Sequence, residues 1–414
     1  MSNNPGVIRS IPPGAEKSLE ASLVSLVDGS QGPGGHPDQE APSVLHADAI
    51  HTTGHHKSRR WIAKLWPSEE MVDKLFAYEH MGKPFVTTNA DFEEPDDCIP
   101  GNYVIDRKTG KKIFETMPLY VRVGMHLLFC EGKEFISYER VEDLLKVQSV
   151  RQGKLYDKEG PEVLPHIQSF IQTYNLPLNE LLIEDLTQYP TFNSFFARRL
   201  KASARPIDSH DDSRTIVSPA DCRMTVFESQ DQAKKFWVKG KQFSVPELLG
   251  HDERFSELQK DTGCMLSIAR LAPQDYHRFH FPVKGVVQCI KDIEGELYTV
   301  NPQAVNEDLN VFTKNKRSVM LLNADLGPEK EQTPVALVAI GAMLVGSIGW
   351  SAKPGDAVKK GAEAGWFAYG GSTLITVFPS RAACGLRFDD DLVKTSEETM
   401  EMAVQVGNRI GVVQ

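Results

Sequence analysis

Residues 366–378 read WFAYGGSTLITVF, and the step from Gly370-Gly371 into Ser372-Thr373 constrains this chain more than any other stretch. Two adjacent glycines let the backbone take conformations closed to other residues. Leu374 to Phe378 then read as a buried strand. A hydroxyl is thereby set at the mouth of a strand, next to the carbonyl of Gly371, which has no side chain to shield it. Taken alone, the stretch also fits a plain turn leading into a strand. It is not the nucleophile elbow G-x-S-x-G, because Leu374 stands where the last glycine belongs.

A serine is activated by a base, and the base usually needs an orienting carboxylate. Two compact motifs offer both. One is Ser218-Pro219-Ala220-Asp221; the other is Asp275-Tyr276-His277-Arg278-Phe279-His280-Phe281-Pro282. In a strand His277 and His280 face opposite sides, whereas in a turn both line one pocket. Singly, Asp221 reads as a turn residue beside Pro219, and each histidine as a hydrogen-bonded core or surface group. Their occurrence together with Gly-Gly-Ser-Thr is what argues for chemistry.

A chain of 414 residues holds one large domain or two ordinary ones. Its 41% hydrophobic and 25% charged content is that of a soluble globular protein. The net charge of −10 argues against a nucleic-acid binder and against attraction to anionic membrane by bulk charge, though a local basic patch escapes that argument. Cys98, Cys130, Cys222, Cys264, Cys289 and Cys384 are scattered without a C-x-x-C, which reads as reduced intracellular thiols and no metal site. The N-terminus has no secretory h-region. The longest apolar run, Val335 to Trp350, is too short and glycine-rich for a membrane span and reads as two strands joined by a turn. These features predict a protein that is soluble, cytoplasmic or peripheral on a membrane.

Residues 1–57 are polar and rich in Gly and Pro, which predicts a disordered tail. Its His46, His51, His55 and His56 lack a fixed ligand spacing. From Lys57 to Trp66, cations alternate with tryptophans and aliphatics, a pattern that suits a membrane interface or an amphipathic segment packed on the protein itself. Helices are predicted from Pro67 to near Gly82, over Met117–Phe129, over Tyr138–Tyr156, in PEVLPHIQSFIQTYN, in LNELLIEDL, and in FNSFFARRL behind a Thr191 cap. From Ile216 the pattern changes to short apolar runs separated by Gly, Pro and Asp, the language of antiparallel strands. The segment SAKPGDAVKKGAEAGWF resembles the hairpin turn of lipoyl and biotinyl carriers in its β-geometry. The expected fold is α+β: a tail (1–57), a helical region (58–205), and a β-rich, antiparallel, barrel- or sandwich-like catalytic body (206–414) capped by the helices.

Several motif strings in order, FNSFFARRLKASARPID, SPADCRM, LAPQDYHRFHFPVKG, GELYTVNPQAV, LNVFTKNKRSV and AGWFAYGGSTLITVF, resemble those of the phosphatidylserine decarboxylases, in the branch whose cleavage motif is G-G-S-T. The resemblance spans roughly Met117 to Val413 and implies a proenzyme that cuts itself between Gly371 and Ser372. Ser372 would then become a pyruvoyl cofactor that forms a Schiff base with the amine of phosphatidylserine and yields phosphatidylethanolamine. The two chains made by the cut stay associated. The resemblance also matches His280 to the self-cleavage base, Asp221 to its orienting acid, and His277 to substrate-carboxylate contact or reprotonation. A positioned histidine is worth about 10²–10⁴-fold.

Ala202-Ser203 replaces the usual Pro-Gly of the family, Cys222 replaces Gly or Ser, and Ala368 replaces a common Lys. No EF-hand loop is present, so the catalytic region alone is expected. The alternative within the same chemistry is a decarboxylase of a free aromatic amino acid. The alternative outside it is a lipid-binding scaffold that no longer cleaves.

Overall fold

The core follows from strands whose residues are apolar on both faces. The computed structural model describes residues 101–116, 153–236, 244–261, 263–296, 311–341, 347–369 and 372–414. Strand β13 (Ser372–Phe378) is buried at every position, as a strand covered on both faces must be. It pairs antiparallel with β5 (Met265–Leu271) on one side and with β9 (Thr333–Gly341) on the other. Ser372 lies opposite Leu271 and Gly341, Leu374 opposite Ala269 and Ala339. Side chains alternate along a strand, so Ser372 shares a face with Leu374 and Phe378, both members of the main apolar core.

Around these three the sheet extends to ten strands. Beyond β9 lie β8 (Arg317–Asp325), β7 (Lys284–Ile293) and β11 (Ala357–Val358); beyond β5 lie β4 (Cys222–Phe227), β15 (Glu401–Val404), β1 (Gly101–Asp106) and β2 (Lys112–Thr116). From β11 through to β15 the pairing is antiparallel, and β1 joins β15 in parallel. Two three-stranded sheets complete the β structure. One holds β10 (Ile348–Trp350), β12 (Glu363–Phe367) and β6 (Arg278–His280); the other holds β14 (Leu386–Phe388), β16 (Arg409–Val413) and β3 (Thr215–Val217). Residues 101–115 and those from 153 onward form one compact unit.

The expected α+β composition and antiparallel body are present, with two differences. The large sheet stays open among the described residues, its edges being β11 and β2, so it is not a closed barrel. The carrier-like segment is divided, because β11 pairs with β7 while β12 pairs with β10 and β6. The run Val335 to Trp350 does contain two strands, β9 and β10, in different sheets.

In the region expected to be helical, α1 (Val163–Tyr174) and α2 (Phe192–Phe196) form. Thr191 caps α2 through its side chain, in a reciprocal box with Ser194. LNELLIEDL makes only a 3₁₀ turn at Leu178–Glu180, because Leu181 goes extended to bridge Leu200. Residues 101–116, also within that region, form β1 and β2. The tail with its four histidines, the Lys57–Trp66 segment, the helices expected over 67–82 and 117–129 and most of that over 138–156 lie outside the described residues. No helix among the described residues is long and apolar enough to cross a membrane.

Because Leu374 is fully buried where β13 meets both neighbours, Leu374→Ala is expected to cost about 2–5 kcal/mol. The check is a lower urea midpoint with an unchanged m value.

Candidate active site

The first residue of β13 is Ser372, the expected nucleophile. The Ser372 side chain is fully buried, and its Oγ has no hydrogen-bond partner among the described residues. The same holds for the hydroxyls of Thr373 and Thr376 in the same strand and of Thr225, Ser267 and Thr313 elsewhere. Buried hydroxyls are normally satisfied, so an orphan at a strand mouth asks for a functional explanation. Gly370 and Gly371 lie outside the described residues.

The two motifs that were to supply base and acid are joined main chain to main chain. The His280 amide donates to the Pro219 carbonyl (2.7 Å) and the Val217 amide to the Pro282 carbonyl (3.2 Å). His280, at the end of β6, has both ring nitrogens engaged: Nδ1 with the Gly361 carbonyl (2.8 Å) and Nε2 with the Tyr276 hydroxyl (3.1 Å). A carbonyl only accepts, so Nδ1 carries the proton and Nε2 accepts from Tyr276. Gly361 can offer its carbonyl there because its φ of +78° suits glycine and a Cβ would meet Ile207 at 2.5 Å. The adjoining Lys360 is buried, and its ammonium donates to the carbonyls of Ser209, Asp212 and Thr215. Burial lowers the His280 pKa below the usual histidine value, against the pull of Glu363 and Asp221.

Asp221 is buried just before β4. Arg205 grips it with Nε to both oxygens (2.9 and 2.8 Å) and Nη2 to Oδ2 (2.6 Å), and the Val406 amide donates to Oδ1 (2.9 Å). Arg205 also reaches Glu180 at 2.9 Å. The carboxylate therefore acts on His280 through space, and the Gly361 carbonyl takes the orienting place expected for Asp221. In this conformation neither Asp221 nor His280 is hydrogen-bonded to Ser372.

His277 is wholly buried. Its Nδ1 donates to the Asp275 carbonyl (3.0 Å), while Nε2 has no partner among the described residues. Phe196 of α2 lies against the imidazole with ring centroids 3.9 Å apart. Burial drives the pKa down to about 3, so the ring is neutral with a bare Nε2 lone pair at neutral pH. Phe196 also packs on Tyr369 (4.9 Å), whose amide donates to the Asn193 side chain (3.0 Å). Tyr156 and Phe192 close the aromatic group around Tyr369.

The four residues named from sequence lie at the ends of β4, β6 and β13, with no hydrogen bond from Ser372 to the other three among the described residues, and the sequence reading missed those that hold them. Arg205 stood in the quoted motif string without a role. Tyr276 sat between Asp275 and His277 in the second motif, with its hydroxyl as the only hint. Nothing in sequence marks Gly361 as an acceptor, since that follows from a turn whose partner is 81 residues away.

The family model described as "Phosphatidylserine decarboxylase" matches residues 192–412. "Phosphatidylserine decarboxylase proenzyme 2" of Komagataella phaffii is 41% identical over 308 residues, covering 74% of this chain and 29% of the relative. The protein of the same name from Oryza sativa is 41% identical over 312 residues, 75% of this chain and 48% of its own length. "Phosphatidylserine decarboxylase proenzyme" of Chlamydia trachomatis is 39% identical over 246 residues, 59% of this chain and 77% of the relative. The chain spans less than half the length of the yeast and plant relatives.

His277 and His280 are held neutral by burial, so below the unfolded-state pKa of about 6.5 the unfolded chain binds protons that the folded chain refuses. Their contribution to stability is full above that pH and is lost as pH falls toward the folded values. Urea unfolding between pH 7 and pH 5 is expected to show this loss. His277→Gln should remove one histidine's share, at most about 1.4 kcal/mol per pH unit.

Proposed function

Since the chain belongs to the phosphatidylserine decarboxylase family, we propose that it is a proenzyme that cuts itself between Gly371 and Ser372 and then decarboxylates phosphatidylserine to phosphatidylethanolamine. The observation that carries this reading is the buried, partnerless Ser372 hydroxyl. An unmet polar group of that kind costs about 1–3 kcal/mol. Conversion to a pyruvoyl group turns the hydroxymethyl of residue 372 into a methyl and so removes the stranded donor from the apolar surround, while the ketone forms at Cα in place of the amide nitrogen. The residues present therefore fit a pyruvoyl group made in place.

Ser372 Oγ adds to the Gly371 carbonyl, its proton passes to a base, and the amide becomes an ester with a free amine at 372. Removal of the Cα proton of residue 372 expels the Gly371 carboxylate, leaving dehydroalanine. Tautomerisation and one water then release ammonia and leave the pyruvoyl group. When formed, that group supplies the electron sink for carbon–carbon bond cleavage.

The chain's own residues handle protons and position. We assign the Ser372 proton to His280 Nε2, which must exchange the Tyr276 hydroxyl for that of Ser372. The Asp221 charge favours the imidazolium that forms, and Arg205 with the Val406 amide fixes where that charge sits. We assign His277, with its bare Nε2, to the substrate carboxylate or to reprotonation. A second reading makes His277 the cleavage base, because its lone pair is the one already unengaged. The cut chains stay together in this proposal because β13 bonds on both sides to strands from upstream of the cut. We place the catalytic region at 206–414, after the tail (1–57) and a preceding region (58–205), and at a membrane surface where a lipid substrate resides. No observation favours a free aromatic amino acid instead.

A denaturing gel of the purified chain is expected to show residues 372–414 as a separate fragment that co-purifies under native conditions. Ser372→Ala should give one uncut band and no activity. His280→Gln should block cutting, while His277→Gln should cut and lose decarboxylation; the reverse pattern selects the second reading. Phosphatidylserine vesicles assayed beside free tryptophan and tyrosine decide the substrate, with carbon dioxide release expected from the lipid alone.

A further inference from the structure

Strands β4 and β5 place Arg223 and Arg270 directly opposite one another. Two like charges in that position repel, and both side chains are largely buried. Three carboxylates answer them. Glu115 of β2 bridges the two arginines at 2.5 and 3.0 Å, Glu401 of β15 takes Arg270 at 2.5 Å, and Asp275 takes Arg223. A third buried arginine, Arg198, stands just beyond α2 and balances the count without a carboxylate of its own in hydrogen-bond contact. Its Nη2 donates to the carbonyls of Gln274 and Asp275, both at 3.1 Å.

A network of this kind is a poor way to stabilise a sheet, since well-packed apolar residues do as well or better. What it does accomplish is local. The loop between β5 and β6 is gripped at Asp275 from two directions. Its carboxylate is held by Arg223 and by the Ala272 amide (2.7 Å), and its carbonyl by Arg198. That same carbonyl accepts the Nδ1 proton of His277. Which ring nitrogen carries the proton is fixed by the partner of the other. The His277 lone pair is thus placed on Nε2 by the Asp275 carbonyl, which Arg198 and Arg223 hold in place.

We propose that Arg198 and the Arg223–Asp275 pair are positioning residues for His277, locking it in the Nδ1–H tautomer with Nε2 bare inside the aromatic surround of Phe196 and Tyr369. This deepens, and rests on, the reading of His277 as a proton-handling group. The lock itself is present in the uncut chain and is tested there without any turnover.

The test uses the full chain held uncut by Ser372→Ala, with ¹⁵N-histidine labelling and the His277 signals identified by their loss in His277→Gln. The expected result is a single Nδ1–H tautomer at neutral pH. Arg198→Lys keeps the charge but ends one bond short of the Nη2 that meets both carbonyls, and Asp275→Asn keeps the Ala272 contact but loses the ion pair. Each should produce a mixture containing the Nε2–H form. Glu401→Gln disturbs the same network away from the loop and should leave the tautomer intact while lowering the melting temperature. In the cleavable chain, the first two variants should lower kcat by about 10–100-fold with KM unchanged. A His277 tautomer that stays single in both loop variants, or that shifts equally in Glu401→Gln, overturns the proposal. Should Arg198→Lys fail to fold, the milder Asp275→Asn decides alone. A wild-type chain that shows the lock but no decarboxylation counts against the functional reading and leaves the lock standing.

Discussion

The pairing of β13 between β5 and β9 is the constraint on which the site depends. Hydrogen bonds on both sides fix the register of Ser372 opposite Leu271 and Gly341, so its hydroxyl must face the apolar core beside Leu374. A slip of one residue would put Thr373 on that face instead. The sheet therefore does two things at once: it strips water from the hydroxyl and leaves it without a partner. The same pairing offers a reason why a cut at the strand's first residue need not open the fold, since strands from both sides of residue 371 share one ladder.

Two ion-paired arrangements stand out near that strand, and Arg198 feels a carboxylate of each, Asp221 and Asp275. Asp221, Arg205 and Glu180 form one, tied to the end of β15 through the Val406 amide. Glu115, Arg223, Arg270, Asp275 and Glu401 form the other, spread across four strands and the loop behind His277. Each reaches a histidine differently. His280 feels Asp221 through space while its ring is held by backbone and a tyrosine; His277 is held by a carbonyl whose residue is itself ion-paired. In both rings Nδ1 bears the proton and Nε2 the lone pair, and the histidines differ in whether that lone pair is already taken.

Much of the fold was legible from local pattern. Among the described residues most apolar runs from Ile216 onward became strands nearly where they were expected, although Lys235-Phe236 end a helix (Gln230–Phe236) instead, and Thr191 capped α2 as its residue type predicts. The failures have tertiary causes. LNELLIEDL has helical composition, but a helix that short is marginal by itself, and Leu181 gains a bridge to Leu200 by leaving it. Residues 101–116 were assigned to a helical region, yet β15 offered an edge to which β1 could add. Closure of a barrel likewise depends on edge pairing, which no local pattern encodes.

The sequence by itself determined which residues could do chemistry: a serine behind two glycines, an aspartate in Ser-Pro-Ala-Asp, and two histidines three apart, along with the family whose motifs they complete. Side-chain identity and short spacing are local properties, readable without a fold. Only the tertiary structure decided who holds whom. That Asp221 belongs to Arg205, that Gly361 orients His280, and that a buried set of arginines and carboxylates fixes His277 all depend on contacts between residues far apart in the chain. Burial then sets their strength, because removing water is what makes an unpaired hydroxyl or a neutral imidazole costly enough to matter.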